Sequence, residues 1–136
     1  MIFIPKNVSS SKNGKRWTGK YLINSKTTME YIKHTKRHYA ENKDKFLEMT
    51  KDLEPPYYVS FKFVRDTRRR FDYVNPLQTV QDMMVKYEWI EDDNMKFIIP
   101  VLIPYDLDKE NAGVYIDVIN KEEYERLCAD SFNSLK

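Results

Sequence analysis

The sequence predicts an α/β or α+β fold: one compact domain in which a mixed β-sheet packs against helices. Three observations carry that expectation. The 136 residues suit one domain, numbered 1–136, and leave little room for a second. Residues 57–64 alternate, with Val59, Phe61 and Phe63 against Ser60 and Lys62, the period of a half-buried strand. Residues 27–49 carry Met29, Ile32, Tyr39 and Phe46 on one helical stripe. Segments of both periods interleave along the chain, which is the pattern of a sheet covered by helices.

The elements follow in order. Residues 1–4 read as a short strand. Residues 5–19 are rich in Ser, Lys and Asn and read as a basic loop reaching residue 20; residues 21–23 read as a second short strand. The long helix starts at Thr27, which forms a capping box with Glu30. Its remaining faces carry Lys33, Lys36, Arg37, Lys43 and Lys45, and Pro55 with Pro56 forbids its continuation. After the strand at 57–64, residues 65–70 form a basic turn or strand end. Residues 74–87 read as a helix with Val74, Leu77, Val80 and Met84 on one side. Asn75, Gln78 and Asp82, at intervals of three and four, share another face. Residues 97–103 read as a strand, placed at an edge or bulge by Pro100. Residues 114–119 form a further strand. Asn120 with Glu123 caps a last helix whose Tyr124, Leu127 and Cys128 face inward.

Composition excludes several classes. Apolar residues are 41% and charged residues 32%, too apolar for a wholly disordered chain. No apolar run suits a membrane span, and the N-terminal residues do not resemble a secretory signal. The single cysteine, Cys128, makes no internal disulfide, and no Cys/His cluster points to structural zinc. A reducing, cytoplasmic setting is expected. Three glycines are too few for a phosphate-binding loop, so no nucleotide cofactor is expected. His34 and His38, four apart among Lys and Arg, read as a solvated helix face.

The net charge of +2 conceals a split. Residues 1–70 carry 17 Lys and Arg against 7 Asp and Glu; residues 71–136 carry 6 against 14. The halves either neutralise each other in the fold or set a basic surface for an anionic partner beside an acidic element.

The chemistry concentrates within residues 65–94. Arg68, Arg69 and Arg70 are followed by Asp72, then by a helix bearing Asp82, then by Asp92 and Asp93. A helix over residues 75–86 is about 16 Å long at ~1.5 Å per residue. The stretch 86–93 reaches about 23 Å at ~3.3 Å per residue, enough to return to the helix start with Trp89 and Ile90 packed against it. Asp72, Asp92 and Asp93 are then expected to share one site. Clustered carboxylates beside arginines suit Mg²⁺ and a phosphodiester, the arginines holding flanking phosphates.

Residues 68–94 resemble the RusA family of Holliday junction resolvases, found in phages and prophages. The family pattern is an arginine-rich stretch, Asp-x-Asp-Asn, a lysine after two residues, a helical Asp, an aromatic and a closing Asp pair. Arg68, Arg69, Arg70, Asp72, Asn75, Asp82, Trp89, Asp92 and Asp93 match it in residue and spacing. The segment 5–15, with Ser9, Ser10, Ser11 and Asn13, is similar to the family's N-terminal loop. Two positions depart: Val74 stands where the family has its second Asp, and Gln78 where it has its lysine.

The resemblance implies a RusA-like domain and a homodimer acting on four-way-junction DNA by paired metal-dependent nicks, in recombination and repair. Asp72 and Asp93 are the expected metal ligands, with Asp92 in support and Mg²⁺ or Mn²⁺ as the ion. Asn75 and Gln78 are expected to orient the phosphate, the water or the backbone. Lys12, Lys15, Arg16, Arg68, Arg69 and Arg70 are expected to contact DNA phosphates, with Trp17 stacking on an unpaired base. The alternative expectation is a catalytically silent dimer of the same fold that binds branched DNA, Val74 and Gln78 marking the lost chemistry.

Overall fold

The computed structural model describes residues 1–9, 15–17 and 22–134. Nine elements follow one another: β1 (Ile2–Pro5), β2 (Lys15–Trp17), β3 (Leu22–Asn24), α1 (Lys26–Thr50), β4 (Tyr57–Arg65), α2 (Val74–Lys86), β5 (Ile98–Leu107), β6 (Gly113–Ile119) and α3 (Lys121–Ser134). Four strands form a mixed sheet in the order β1-β6-β4-β5, and β2 pairs with β3 separately. The fold is therefore α+β, as the interleaved periods predict. β4 runs parallel to β5 through the α2 crossover and antiparallel to β6. β5 is an edge strand, where Pro100 removes no central ladder bond.

Strand alternation decides which face is core. Val59, Phe61 and Phe63 of β4 are fully buried, as are Ile2 and Ile4 of β1 and Val114 and Ile116 of β6. Tyr39 and Phe46 of α1, Val80, Met83 and Met84 of α2, and Trp89 close over them. Phe46 stacks on Trp89 with centroids 5.2 Å apart, and Tyr39 lies 5.6 Å from the same indole. Aromatic burial of this kind supplies much of the apolar area removed from water.

Several local expectations change. Within the loop read at 5–19, residues 15–17 form β2, and Val8 and Ser9 are buried. The cap of α1 is Ser25, whose Oγ accepts from the Thr28 amide at 3.3 Å. Met29 is exposed; the buried stripe is Thr28, Tyr31, Thr35, Tyr39, Phe46 and Thr50. Threonine fits that stripe because its hydroxyl bonds back to the helix, as Thr35 does to the Tyr31 carbonyl at 2.7 Å. Tyr31 and Tyr39 share a buried 2.7 Å hydroxyl contact, and burial pushes both phenols above their ordinary pKa. On α2, Val74 is 68% exposed, and the buried side is Pro76, Val80, Gln81, Met83 and Met84. Asn120 caps α3 as expected, its Oδ1 accepting from the Glu123 amide at 2.7 Å. Among the described residues no helix is long and apolar enough to cross a membrane.

Candidate functional site

The site begins where β4 ends. Arg65, the last residue of that strand, is 2% exposed. Its Nη1 donates to the Val8 carbonyl at 2.9 Å, and its guanidinium sits 4.5 Å above the Phe71 ring. Burial lowers its pKa, yet a guanidinium stays charged at neutral pH. Its carbonyl accepts from the Asp108 amide, and the next amide, of Asp66, donates to Asn7 Oδ1. The strand end is thus tied to the N-terminal segment and to the loop after β5. The chain beyond is lifted into solvent: Arg68, Arg69 and Arg70 are all exposed and form no ion pair among the described residues.

Phe71, Tyr73 and Tyr105 form an aromatic cluster beside these arginines. Phe71 lies 5.0 Å from Tyr73 and 5.2 Å from Tyr105, edge to face with the latter. Tyr73 Oη accepts from the Tyr105 amide at 3.1 Å. The cluster fixes the start of α2, where Tyr73 stands at the cap and the Asn75 amide reaches the Asp72 carbonyl at 3.2 Å. Asp72 is exposed at this corner, and Asn75 is half-buried.

One turn further along α2, Gln78 Nε2 donates to Asp82 Oδ1 at 2.7 Å and to Asp93 Oδ2 at 3.0 Å. Two carboxylates from different segments therefore converge on one amide nitrogen. The Gln78-to-Asp82 contact follows from helical spacing, since residues four apart are neighbours on one face.

The Asp93 contact needs the chain to turn back, and the end of α2 does so. The Glu88 amide donates to the Val85 carbonyl and the Trp89 amide to the Met84 carbonyl, a Schellman closure. Glu88 takes the left-handed position with φ 63°. Trp89 is then pinned against α1, its Nε1 donating to the Tyr39 carbonyl at 2.8 Å. The sequence places Trp89 against α2; the structure packs its ring on Tyr39 and Phe46 of α1.

Asp92 does other work. Its Oδ1 accepts from the Asp93 amide at 2.8 Å and its Oδ2 from Asn94 Nδ2 at 3.0 Å, so it closes the turn that presents Asp93. The expected trio of Asp72, Asp92 and Asp93 is not gathered. The returning chain meets the second turn of α2, and Asp92 is spent on its own loop. Among the described residues no group of three or more His, Cys, Asp or Glu side chains is placed to hold a metal ion. The donor set that does converge is Asp82 with Asp93. Two carboxylates on an exposed polar surface match the one or two that Mg²⁺ takes beside waters and substrate phosphates. The group at their meeting point is the Gln78 amide, an uncharged donor.

Of the other expected contacts, Lys15 and Arg16 lie on β2, paired with Asn24 and Ile23. Trp17 pairs with Leu22. Lys12 falls outside the described residues. His34 pairs with Glu30 at 3.3 Å on the exposed face of α1. The sequence reading gave Asp82 no settled role and did not single out Arg65, Phe71 or Tyr105. Asp82 was visible four residues from Gln78; the other three depend on contacts across the sheet. No protein-family model matches this chain, and no curated protein matches it significantly.

Proposed function

We propose that this chain is a structure-selective endodeoxyribonuclease of the RusA type that resolves four-way DNA junctions by paired, metal-dependent nicks. The observation that carries the reading is the convergence of Asp82 and Asp93 on Gln78 of α2, the helix that three exposed arginines precede in the chain. In this reading Arg68, Arg69 and Arg70 hold phosphates and fix the strand's register. Asp82 and Asp93 would hold Mg²⁺, or Mn²⁺ in its place, where Gln78 Nε2 now donates to both. An ion held there would supply polarisation of the phosphoryl oxygen and a water of lowered pKa. Gln78, released from the carboxylates, and Asn75 at the helix start donate to phosphate oxygens. Asp72, exposed at the same corner, accepts from the water or from its hydration shell. A second copy related by a two-fold axis presents an equivalent site to the approximately two-fold-symmetric junction.

A second reading has its own observation. The uncharged Gln78 amide already donates to both carboxylates, and Val74 places an exposed isopropyl where the family has an acid. This favours a dimer that binds branched DNA and does not cut it.

One experiment separates them. Purified protein is incubated with a labelled four-way junction and a matching duplex, in Mg²⁺, in Mn²⁺ and in chelator. Asp72→Asn, Asp82→Asn and Asp93→Asn are run beside it. Symmetric nicks that need metal and vanish in Asp82→Asn and Asp93→Asn support the nuclease. Salt-sensitive junction binding with no nicks under any metal supports the silent binder. Absence of binding at low salt removes both.

A further inference from the structure

We propose that Phe71 and Tyr105 form a stacking platform for an unpaired nucleobase, which gives this chain a means of selecting branched over fully paired DNA. The inference rests on the DNA-binding reading above.

The argument starts from an aromatic cluster at the surface. Tyr105 is 43% exposed and Phe71 half-buried, and the two rings stand edge to face at 5.2 Å. The Arg65 guanidinium already lies over Phe71, so Tyr105, the more exposed ring, is the one that stacks and Phe71 walls its side.

The fold holds the pair rigidly from behind. The Arg65 guanidinium lies 4.5 Å from the Phe71 ring centre, Tyr73 packs at 5.0 Å, and Phe63 lies 6.4 Å from Tyr73. The β4–β5 register shifts between Lys62 and Val64, so that Val64 faces Asp106 where Lys62 faces Ile103. Bulges of this kind re-aim side chains. Here the irregularity brings the Tyr105 amide to Tyr73 Oη.

The surroundings identify the occupant. Three exposed arginines immediately precede Phe71 in sequence, and none is spent on an ion pair among the described residues. Val74, adjacent to Tyr73, is 68% exposed. Aromatic faces beside free guanidinium groups are the two components of single-stranded nucleic-acid sites: cations follow the backbone and rings take the bases. A base inside a duplex offers no free face, whereas a base drawn out of its pair at a junction crossover, where a stacking neighbour is missing, does.

The test uses the full-length protein and two DNAs of equal charge. One is a four-way junction built with a single unpaired 2-aminopurine at the crossover; the other is a linear duplex with 2-aminopurine paired. Wild-type protein should quench the junction probe strongly and the duplex probe little. Phe71→Leu and Tyr105→Leu should lose that quench and bind the junction roughly 5- to 150-fold more weakly, the range expected for one lost base stack, with duplex affinity unchanged. If Phe71→Leu fails to fold, Tyr105→Leu on the edge strand gives the reading alone. Wild-type quench and affinity retained in folded Tyr105→Leu overturn the platform and leave the DNA reading standing. Equal weakening on junction and duplex also overturns it, by making the rings a mere support for the arginines. Wild-type protein that binds neither DNA overturns both proposals.

Discussion

Gln78 and Asp93 stand 15 positions apart in sequence and are joined by one 3.0 Å hydrogen bond, through the same nitrogen that holds Asp82 at 2.7 Å. The amide therefore competes with any cation for the carboxylate pair. Removing it with Gln78→Ala takes away two exposed hydrogen bonds, each worth about 0.5–1.5 kcal/mol net at most, so the fold should survive. Mg²⁺ affinity should be retained or rise in Gln78→Ala and fall at least tenfold in Asp93→Asn, measured by calorimetric titration without DNA. Identical, negligible heats in both variants would remove the carboxylate pair as a metal position.

Glu88 carries a backbone conformation that suits another residue. Its φ of 63° closes the Schellman turn, a position where a side chain costs about 1 kcal/mol relative to glycine. Against this stands a 3.1 Å pair with Lys43, on a surface where such pairs contribute about 0–1 kcal/mol. Glu88→Gly should therefore raise unfolding free energy by up to about 1 kcal/mol in urea titration. A loss of 1 kcal/mol or more would show that the ion pair, not the turn, governs this corner.

Much of this architecture was legible because the two periods are clean. Val59, Phe61 and Phe63 alternate without interruption, and Pro100 correctly marks an edge. The stripe of α1 departs from the hydropathy pattern at Met29 because its buried positions include Thr28, Thr35 and Thr50, which hydropathy counts as polar. Their hydroxyls are satisfied inside the helix or its cap, a fact invisible to a periodicity argument. The return of the chain to α2 was legible from reach alone. Where it lands was not, because the Glu88 turn and the Trp89 anchor set the landing point at Gln78 and not at Asp72. Arg65 reads in the sequence as one more basic residue of the 65–70 run, and only strand pairing shows that it is buried.

Trp89 should be the residue on which that return depends. Its indole is 2% exposed, stacks on Phe46 and donates to the Tyr39 carbonyl. Trp89→Ala should cost about 3–5 kcal/mol in chemical denaturation, the usual cost of emptying an aromatic site. Trp89→Phe keeps most of the packing but leaves the buried Tyr39 carbonyl without this donor, at a cost of about 1–3 kcal/mol. A Trp89→Phe protein as stable as wild type would mean that packing alone fixes the turn.

Asp108 offers a pH test outside the site. Its side chain accepts from Asn111 Nδ2 at 3.1 Å and from the Glu110 and Asn111 amides, which holds the carboxyl below its ordinary pKa. A depressed carboxylate contributes order above its unfolded pKa and loses it as pH falls through the folded value. The loop at 108–111 should therefore loosen only below the normal Asp range. In Asn111→Ala the Asp108 titration followed by NMR should move up. An unchanged midpoint would assign the depression to the backbone amides alone.

Arg65 and its neighbours Arg68, Arg69 and Arg70 carry the same side chain with opposite tasks, and substitution should separate them. Arg65 is buried, and its guanidinium spans the Val8 carbonyl and the Phe71 ring. Lysine has neither the planar fork nor its stacking face, so Arg65→Lys should lower stability by about 1–3 kcal/mol. It should leave the salt dependence of junction binding unchanged, because a buried cation releases no counterion. The exposed three should behave in reverse. Each Arg→Gln change at 68, 69 or 70 should leave the melting temperature within about a degree or two, since exposed charges contribute little. Each that contacts a phosphate should reduce the slope of log K against log salt by about 0.9 on duplex arms. Fluorescence anisotropy across a salt series, beside thermal melts of the same variants, reads both quantities. Slopes unchanged in the Arg68→Gln, Arg69→Gln and Arg70→Gln triple variant would move the proposed phosphate contacts elsewhere on the basic half of the chain. The long helix α1, with Lys33, Lys36 and Arg37 exposed, would then be the next surface to substitute.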